Sequence, residues 1–303
     1  MSKLVARIGV PALAVIALAG CGSSSNNSST TTGAPTTSAS GASAVNAGVA
    51  GLVPAAVKSK GTLTVAADAT YAPNEFIAPD GHTVIGTDAD LLTALGQVMG
   101  LKVKLVNATF NTIIPGLAAG KYDIGASSFT DTKEREKTVD FVDYLTAGVE
   151  FYAKSSANPT AKGLAELCGV TVAVEKGTTE QEESTEQSGK CTKEGKKPVT
   201  VLTYPTQNGA NLAVASGRAE LGMADSPVAA YQVKLSNGAF KLVGKPYGSA
   251  PYGLAIPKGS GMTKPVRAAL KVLMANGTYT QILGKWGVQK GAVTTATING
   301  AQS

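Results

Sequence analysis

The chain has 303 residues, long enough for one large or two medium domains. Its net charge of +6 comes from basic residues scattered among acids, without arginine-rich blocks or aromatic–basic interleaving, which argues against a nucleic-acid partner. A single histidine, His82, leaves too few ligands for a metal centre, and neither a phosphate-binding glycine loop nor a dinucleotide motif points to a cofactor.

Residues 1–20 have the layout of a secretory signal. Lys3 and Arg7 precede an apolar run over residues 8–19 that closes on small residues. The run is about 12 residues, against the roughly 20 that a membrane-spanning helix needs. Its ending, Leu18-Ala19-Gly20-Cys21, resembles the lipobox of bacterial lipoproteins, which implies that the Cys21 thiol is acylated and becomes the new N-terminus. Two or more acyl chains attach stably where one would not. Residues 21–58 then read as a disordered tether. From Gly22 to about Gly48 there is no charge, no aromatic residue and no periodic apolar face, so the tract cannot bury enough surface to order itself. As a flexible coil it reaches about 30 Å.

The body alternates strand-like and helix-like segments. Residues 63–67 read as a strand, 89–99 as a helix stopped by Gly100, 102–106 as a strand, 113–119 as a short helix and 122–127 as a strand. This is the rhythm of a parallel sheet with helices on its faces. It begins again after Lys154: strands at 170–174, 199–203, 219–224 and 240–243, a helix opened by Gly177-Thr178-Thr179, and helices at 208–216 and 227–235. Residues 252–256 form a further strand, and 264–286 one or two helices interrupted at Asn276-Gly277. Cys168 and Cys191, an even pair in an exported chain, are expected to form a disulfide; a two-cysteine metal site is the rival.

Nucleophilic catalysis lacks a base, since His82 follows the turn pair Asp80-Gly81. Glu134 and Glu136 lie on a charged segment and read as a solvated face. Three stretches stand out because each ends a strand: residues 68–76, residues 127–135, and Gly177-Thr178-Thr179. A fourth strand ends at Asp225. Ligands of open α/β sheets sit at such strand ends, where helix starts also offer free N–H groups to an anion.

The stretches GTLTVAADATYAPNEF, GLAAGKYDIGASSFTDTKEREKTVDF, VAVEKGTTEQE and LAVASGRAELGMADSPVAAY resemble the family 3 extracellular solute-binding proteins of polar amino acid ABC transporters, in order from about Lys60 to Val288. The resemblance implies an α/β, two-lobed periplasmic-binding-protein fold of type II. Each lobe is then a mixed, mostly parallel sheet flanked by helices, with ligand in the interlobe cleft. Lobe 1 is expected over residues 59–153 plus 252–290, lobe 2 over 154–251, and a C-terminal tail over 291–303.

The resemblance also implies roles. Arg135 would clamp the α-carboxylate of a free amino acid with its planar two-bond fork. Ser128 and Thr130 would complete that pocket, and the helix start at Gly177, Thr178 and Thr179 would hold the carboxylate from the second lobe. Asp225 would take the ammonium, Tyr71 would wall the ligand side chain, and Asp68 would contact a polar or basic tip. The residues also admit plainer readings: Arg135 as surface charge, Asp225 and Thr178 as helix caps, Tyr71 as core and Asp68 as a turn acid. Asn74 and Thr87 depart from the family pattern near the expected side-chain end of the pocket.

The function expected is a monomeric receptor, not an enzyme. It is exported, lipid-anchored to the outer face of the cytoplasmic membrane, and delivers its amino acid to a membrane permease without a cofactor or metal. The rival is a dehydratase-type enzyme on the same fold, for which Glu175 would be the acid to watch. A sensor lobe feeding a kinase is a third reading, although no kinase segment follows.

Overall fold

The computed structural model describes residues 44–302. The signal, Cys21 and most of the tether lie outside the described residues. The elements in chain order are α1 (Ala47–Leu52), α2 (Ala55–Lys60), β1 (Thr62–Ala67), β2 (Thr70–Tyr71), β3 (Glu75–Ile77), β4 (Val84–Ile85), α3 (Thr87–Met99), β5 (Lys102–Asn107), α4 (Phe110–Ala118) and β6 (Ile124–Gly125). They continue with β7 (Val139–Lys154), β8 (Thr171–Glu175), α5 (Thr179–Lys193), β9 (Thr200–Tyr204), α6 (Gln207–Ala215), β10 (Leu221–Asp225), α7 (Ser226–Leu235), β11 (Phe240–Pro257), α8 (Thr263–Ala275) and α9 (Thr278–Trp286).

Eight strands run in the order β5-β1-β6-β11-β7-β10-β8-β9. At one end β5, β1 and β6 are parallel, and at the other β10, β8 and β9 are parallel. Between them lie the two long strands β7 and β11, antiparallel to each other along nearly their whole length. The arrangement is pseudo-twofold. In the first half β11 borders the parallel strands and β7 lies outside it; in the second half the two exchange places. These two strands are the connections between two lobes.

Each lobe has its own core, split over the two faces of its strands by side-chain alternation. In lobe 1, Leu63, Val65, Leu254 and Ile256 face α3, α8 and α9, while Ala66, Ala255 and Phe141 face α4. In lobe 2, Val172, Val174, Val149 and Phe151 face the Cys168–Cys191 side, while Ala173, Tyr152 and Ala224 face α6 and α7. The division falls at Gly148. Ala147 belongs to the first core and Val149 to the second, so the first crossing comes several residues before the expected 153. A Cβ at Gly148 would lie 2.5 Å from the Tyr247 carbonyl oxygen, so the close approach of the crossing strands requires glycine.

Three expectations change. Residues 240–243 and 252–256 are the two ends of the single strand β11, whose register slips between Val243 and Gly253. The glycines and proline in between hide its continuity from local periodicity. The end of the tether is ordered: Asn46 caps α1 by accepting from the Val49 N–H at 3.1 Å, and Val49 and Val53 are buried in the lobe 1 core. Residues 291–302 are a strap rather than a free tail. Ala292 and Ile298 bridge to Leu145 and Val142 on the outer edge of β7, and Asn299 Oδ1 accepts from the Phe141 N–H at 2.8 Å. Cys168 and Cys191 are disulfide-bonded, with Cα atoms 5.5 Å apart. Among the described residues no helix is long and apolar enough to cross a membrane.

Candidate functional site

Between the lobes lies a narrow cavity lined by twelve residues. Lobe 1 contributes Asp68, Tyr71, Phe110, Ser127, Ser128, Thr130 and Arg135; lobe 2 contributes Glu175, Thr178, Thr179, Glu180 and Asp225. Asp68, Ser127, Glu175 and Asp225 stand at or just beyond the carboxyl ends of β1, β6, β8 and β10, which places the cavity where an α/β sheet leaves its strand ends open.

Hydrogen bonds join the lobes across this cavity. The Tyr71 hydroxyl donates to Asp225 Oδ2 at 2.7 Å and accepts from the Asp225 N–H at 3.0 Å. Arg135 Nη2 donates to the Gly177 carbonyl at 3.0 Å, while Nη1 donates to the Thr130 carbonyl at 2.8 Å. The Gln207 N–H donates to Thr70 Oγ1 at 3.1 Å. The lobes are therefore closed on one another.

The family model of the bacterial extracellular solute-binding proteins, family 3, matches residues 63–289. The chain belongs to this family. The arginine-binding protein ArgT of Corynebacterium glutamicum is 39% identical over 249 residues, covering 82% of this chain and 81% of the relative. The L-arginine-binding protein of Pseudomonas aeruginosa is 32% identical over 234 residues, covering 72% of this chain and 85% of the relative. Among solved structures, an ancestral arginine-binding protein bound to arginine superposes with a TM-score of 0.69 at 34% identity, covering 75% of this chain and 98% of that one. The ancestral amino acid-binding protein AncCDT-1, described as a precursor of cyclohexadienyl dehydratase, has a TM-score of 0.68 at 36% identity, covering 76% and 97%. The fold is the two-lobed type II fold of this family's binding proteins.

In this family 3 binding protein, local chemistry explains how each side chain is held. Asp68 Oδ1 accepts from Thr70 Oγ1 at 2.7 Å, and Oδ2 from the Phe110 N–H at the start of α4 at 2.9 Å. Burial nevertheless raises its pKa, with these bonds pulling it back. Ser128 sits at φ 51, a left-handed conformation uncommon for a residue with a side chain. Its Oγ accepts from Asn74 Nδ2 at 2.9 Å, and its N–H donates to Asp88 Oδ2 at 3.2 Å. Behind this turn Glu75 and Asp88 form a buried acid pair. Desolvation, then the neighbouring Asp88, pushes Glu75 well above the carboxylate range.

Arg135 opens a short 3₁₀ turn, and its guanidinium lies over the rings of Phe110 and Phe129 at 5.6 and 5.7 Å. Two of its five N–H groups are committed to carbonyls, which leaves a fork for an anion. Thr178 caps α5: its Oγ1 accepts from the Gln181 N–H at 3.3 Å and donates to the Glu175 carbonyl at 2.8 Å. The N–H groups of the first turn of α5 face no intrahelical acceptor and suit a carboxylate. Asp225 occupies the cap position of α7 but makes no capping bond, because its carboxylate is turned to Tyr71.

Of the nine ligand-binding residues expected, eight line the cavity. Gly177 does not; it holds Arg135 through its carbonyl. Asn74 and Thr87 are not on the wall either. Asn74 is buried behind Ser128, and Thr87 opens α3 with its N–H on the Pro73 carbonyl. Phe110 and Glu180 were not expected from sequence, and Ser127 only as the first residue of the stretch 127–135. Phe110 follows the end of β5, so the strand-end rule reaches it. Glu180 is one of several acids on α5, and local spacing does not show which of them turns inward.

The charge balance is lopsided. Four carboxyls, Asp68, Glu175, Glu180 and Asp225, share the cavity with one guanidinium. Burial, followed by neighbouring acids, pushes Glu175 up to about 10 and Glu180 up to about 8, and burial pushes Asp225 up to about 6. Burial also lowers Arg135, which Glu182 and Glu180 oppose.

Proposed function

We propose that the protein is the amino acid receptor of an ABC importer and that its ligand is a basic amino acid, arginine foremost. The observation that carries this reading is the acid excess of the interlobe cavity. Four carboxyls facing one guanidinium are stabilised by a ligand that brings one carboxylate and two positive groups. Arg135, Thr130 and the start of α5 suit the α-carboxylate, Asp225 suits the ammonium, and the carboxyl-rich end around Asp68 suits the cationic tip. The relatives agree: ArgT and the Pseudomonas protein are arginine-binding proteins.

The same ligand engages both lobes and so favours the closed form, which is the shape a permease would read. Acylation at Cys21 would keep the receptor on the outer face of the cytoplasmic membrane. The tether is shorter than expected from composition, because ordered packing on lobe 1 begins by Asn46.

The test is a thermal-shift screen of ligand-stripped protein against the common amino acids, followed by calorimetry. A ligand at 100 times its Kd stabilises the native state by about 2.7 kcal/mol. Stabilisation by arginine above neutral and acidic amino acids is expected. No stabilisation by any amino acid would overturn the reading and return attention to the enzyme alternative. The similarity to AncCDT-1, a dehydratase precursor, supports that alternative, since a buried protonated Glu175 has the form of a general acid.

A further inference from the structure

Glu175 ends β8 and is 2% exposed. One of its carboxyl oxygens is buried without a hydrogen-bond partner. The carboxyl lines the interlobe cavity together with that of Asp68, which belongs to the other lobe. The charged or titratable groups that act on Glu175 are Asp68 at the end of β1, Glu180 on α5, Asp225 at the end of β10 and Tyr152 on β7, and all are acids. Lys176, next in the chain, is exposed. Arg135 is committed to the Thr130 and Gly177 carbonyls, and the acids that act on it are Glu182, Glu180, Asp225 and Asp131. Among the described residues that line the cavity, Arg135 is the one cation, and neither Asp68 nor Glu175 is paired with it.

We propose that Glu175 is the residue that selects the ligand's side chain: with Asp68 it forms a two-sided carboxylate clamp, one jaw from each lobe, for a guanidinium, and seating that cation releases the Glu175 proton to solvent. This rests on the reading of the cavity as an amino acid site.

The chemistry of the pair distinguishes two classes of side chain. With the proton in place, Asp68 accepts and Glu175 donates. That pattern is complementary to a neutral carboxamide, whose NH₂ donates and whose oxygen accepts. Without the proton both jaws accept, and a planar guanidinium can present one edge to each; a lysine ammonium is a point donor and fits less well. Two carboxylates in contact repel unless a cation lies between them, so the proton and the guanidinium are alternative occupants of one electrostatic site. Burial and the neighbouring acids hold the proton on Glu175 across the neutral range, as its pKa of about 10 reflects. Arginine binding must therefore displace it.

The experiment uses the secreted chain carrying Cys21→Ser, titrated with L-arginine, L-lysine and L-glutamine between pH 6 and pH 9. Calorimetry in buffers of different ionisation heat counts the protons released. For the unsubstituted site the expected result is about one proton released per arginine and none per glutamine. Arginine affinity then tightens with pH by up to roughly tenfold per unit while glutamine affinity stays level. In Glu175→Gln, arginine is expected to weaken at least about tenfold more than glutamine, with proton release lost. Asp68→Asn provides a second variant, expected to weaken arginine more than glutamine as well. An unchanged arginine-to-glutamine ratio in folded Glu175→Gln, or arginine binding without proton release in the parent protein, overturns the inference and leaves the receptor reading standing. Absence of binding by every amino acid overturns both.

Discussion

The Tyr71 hydroxyl reaches across the cleft to Asp225, donating to its carboxylate at 2.7 Å and accepting from its backbone N–H at 3.0 Å. One phenol thus ties β2 of lobe 1 to the end of β10 in lobe 2. Its ring is also buried among Ala210, Val214 and Ala224 of lobe 2. Tyr71→Phe keeps that packing and deletes the two hydrogen bonds. A buried polar group left unpaired costs about 1–3 kcal/mol, so ligand affinity should fall about 5- to 150-fold, mainly through faster release. Stopped-flow dissociation would show it; an unchanged release rate would remove Tyr71 from the closing machinery.

Gly177 is the second point of close approach. Its φ is +85, and a Cβ there would lie 2.7 Å from Asn111 Cβ on α4 of the other lobe. Gly177→Ala therefore has two separable effects. Left-handed strain costs about 1–2 kcal/mol of stability whether or not ligand is bound. The interlobe clash adds about 1–3 kcal/mol that only the closed form feels, which appears as weaker ligand binding. Adding Asn111→Gly should restore affinity but not stability. If the double variant binds no better than Gly177→Ala alone, the clash is not what opposes closure.

Asp131 and Asp143 face each other under the C-terminal strap, where Asp131 Oδ2 accepts from the Ala301 N–H at 3.2 Å. Burial, then Asp143, pushes Asp131 up to about 7, and burial pushes Asp143 up to about 6. In the unfolded chain aspartate titrates near 4. The folded state therefore holds protons that the unfolded state releases between about pH 4 and pH 7, and this pair's contribution to stability falls as pH rises through that window. Asp131→Asn, which keeps an acceptor for Ala301, should raise the Tm at pH 8 relative to pH 5. Each 1 kcal/mol corresponds to about 2–4 °C in a protein of this size. Identical pH profiles for the two proteins would show that the pair does not govern this strap.

The disulfide closes a loop around α5, and Cys191 is fully buried beside Val172, Leu167 and Val199. Replacing both cysteines by serine should cost about 3 kcal/mol through the unfolded chain. Lobe 2 should melt earlier and lobe 1 should be little affected, which hydrogen exchange resolved by peptide would separate. Equal loss of protection in both lobes would show that they unfold as one unit.

Much of the fold was legible locally. β1, β5, β8 and β9 and helices α3, α6, α7, α8 and α9 lie where periodicity and stop signals put them, to within a few residues. Asp68, Thr178 and Asp225 were legible because they end strands or open helices. The two crossing strands were not. β7 runs through Val139–Lys154, buried on both faces and so without alternation, and β11 is broken by Gly244, Pro246 and Gly248. Nor was the order near Asn46 and along residues 291–302, because a short segment held by one or two buried side chains or by pairing to a strand edge carries little periodic signal.

The sequence by itself determined the alternation of strands and helices, the positions of the strand ends and the presence of an arginine, several acids and a threonine-bearing helix start near them. These are local properties, written in spacing and residue type. Only the tertiary structure decided that Arg135 leans on Gly177, that Asp225 turns from its helix to Tyr71, and that Asp68 and Glu175 line one cavity. Each of those relationships joins residues of different lobes, and it exists only once β7 and β11 have carried the chain across and the lobes have closed. Charge balance in the cavity is decided there too, because burial in a shared cavity, not the identity of any one acid, sets which carboxyls hold protons.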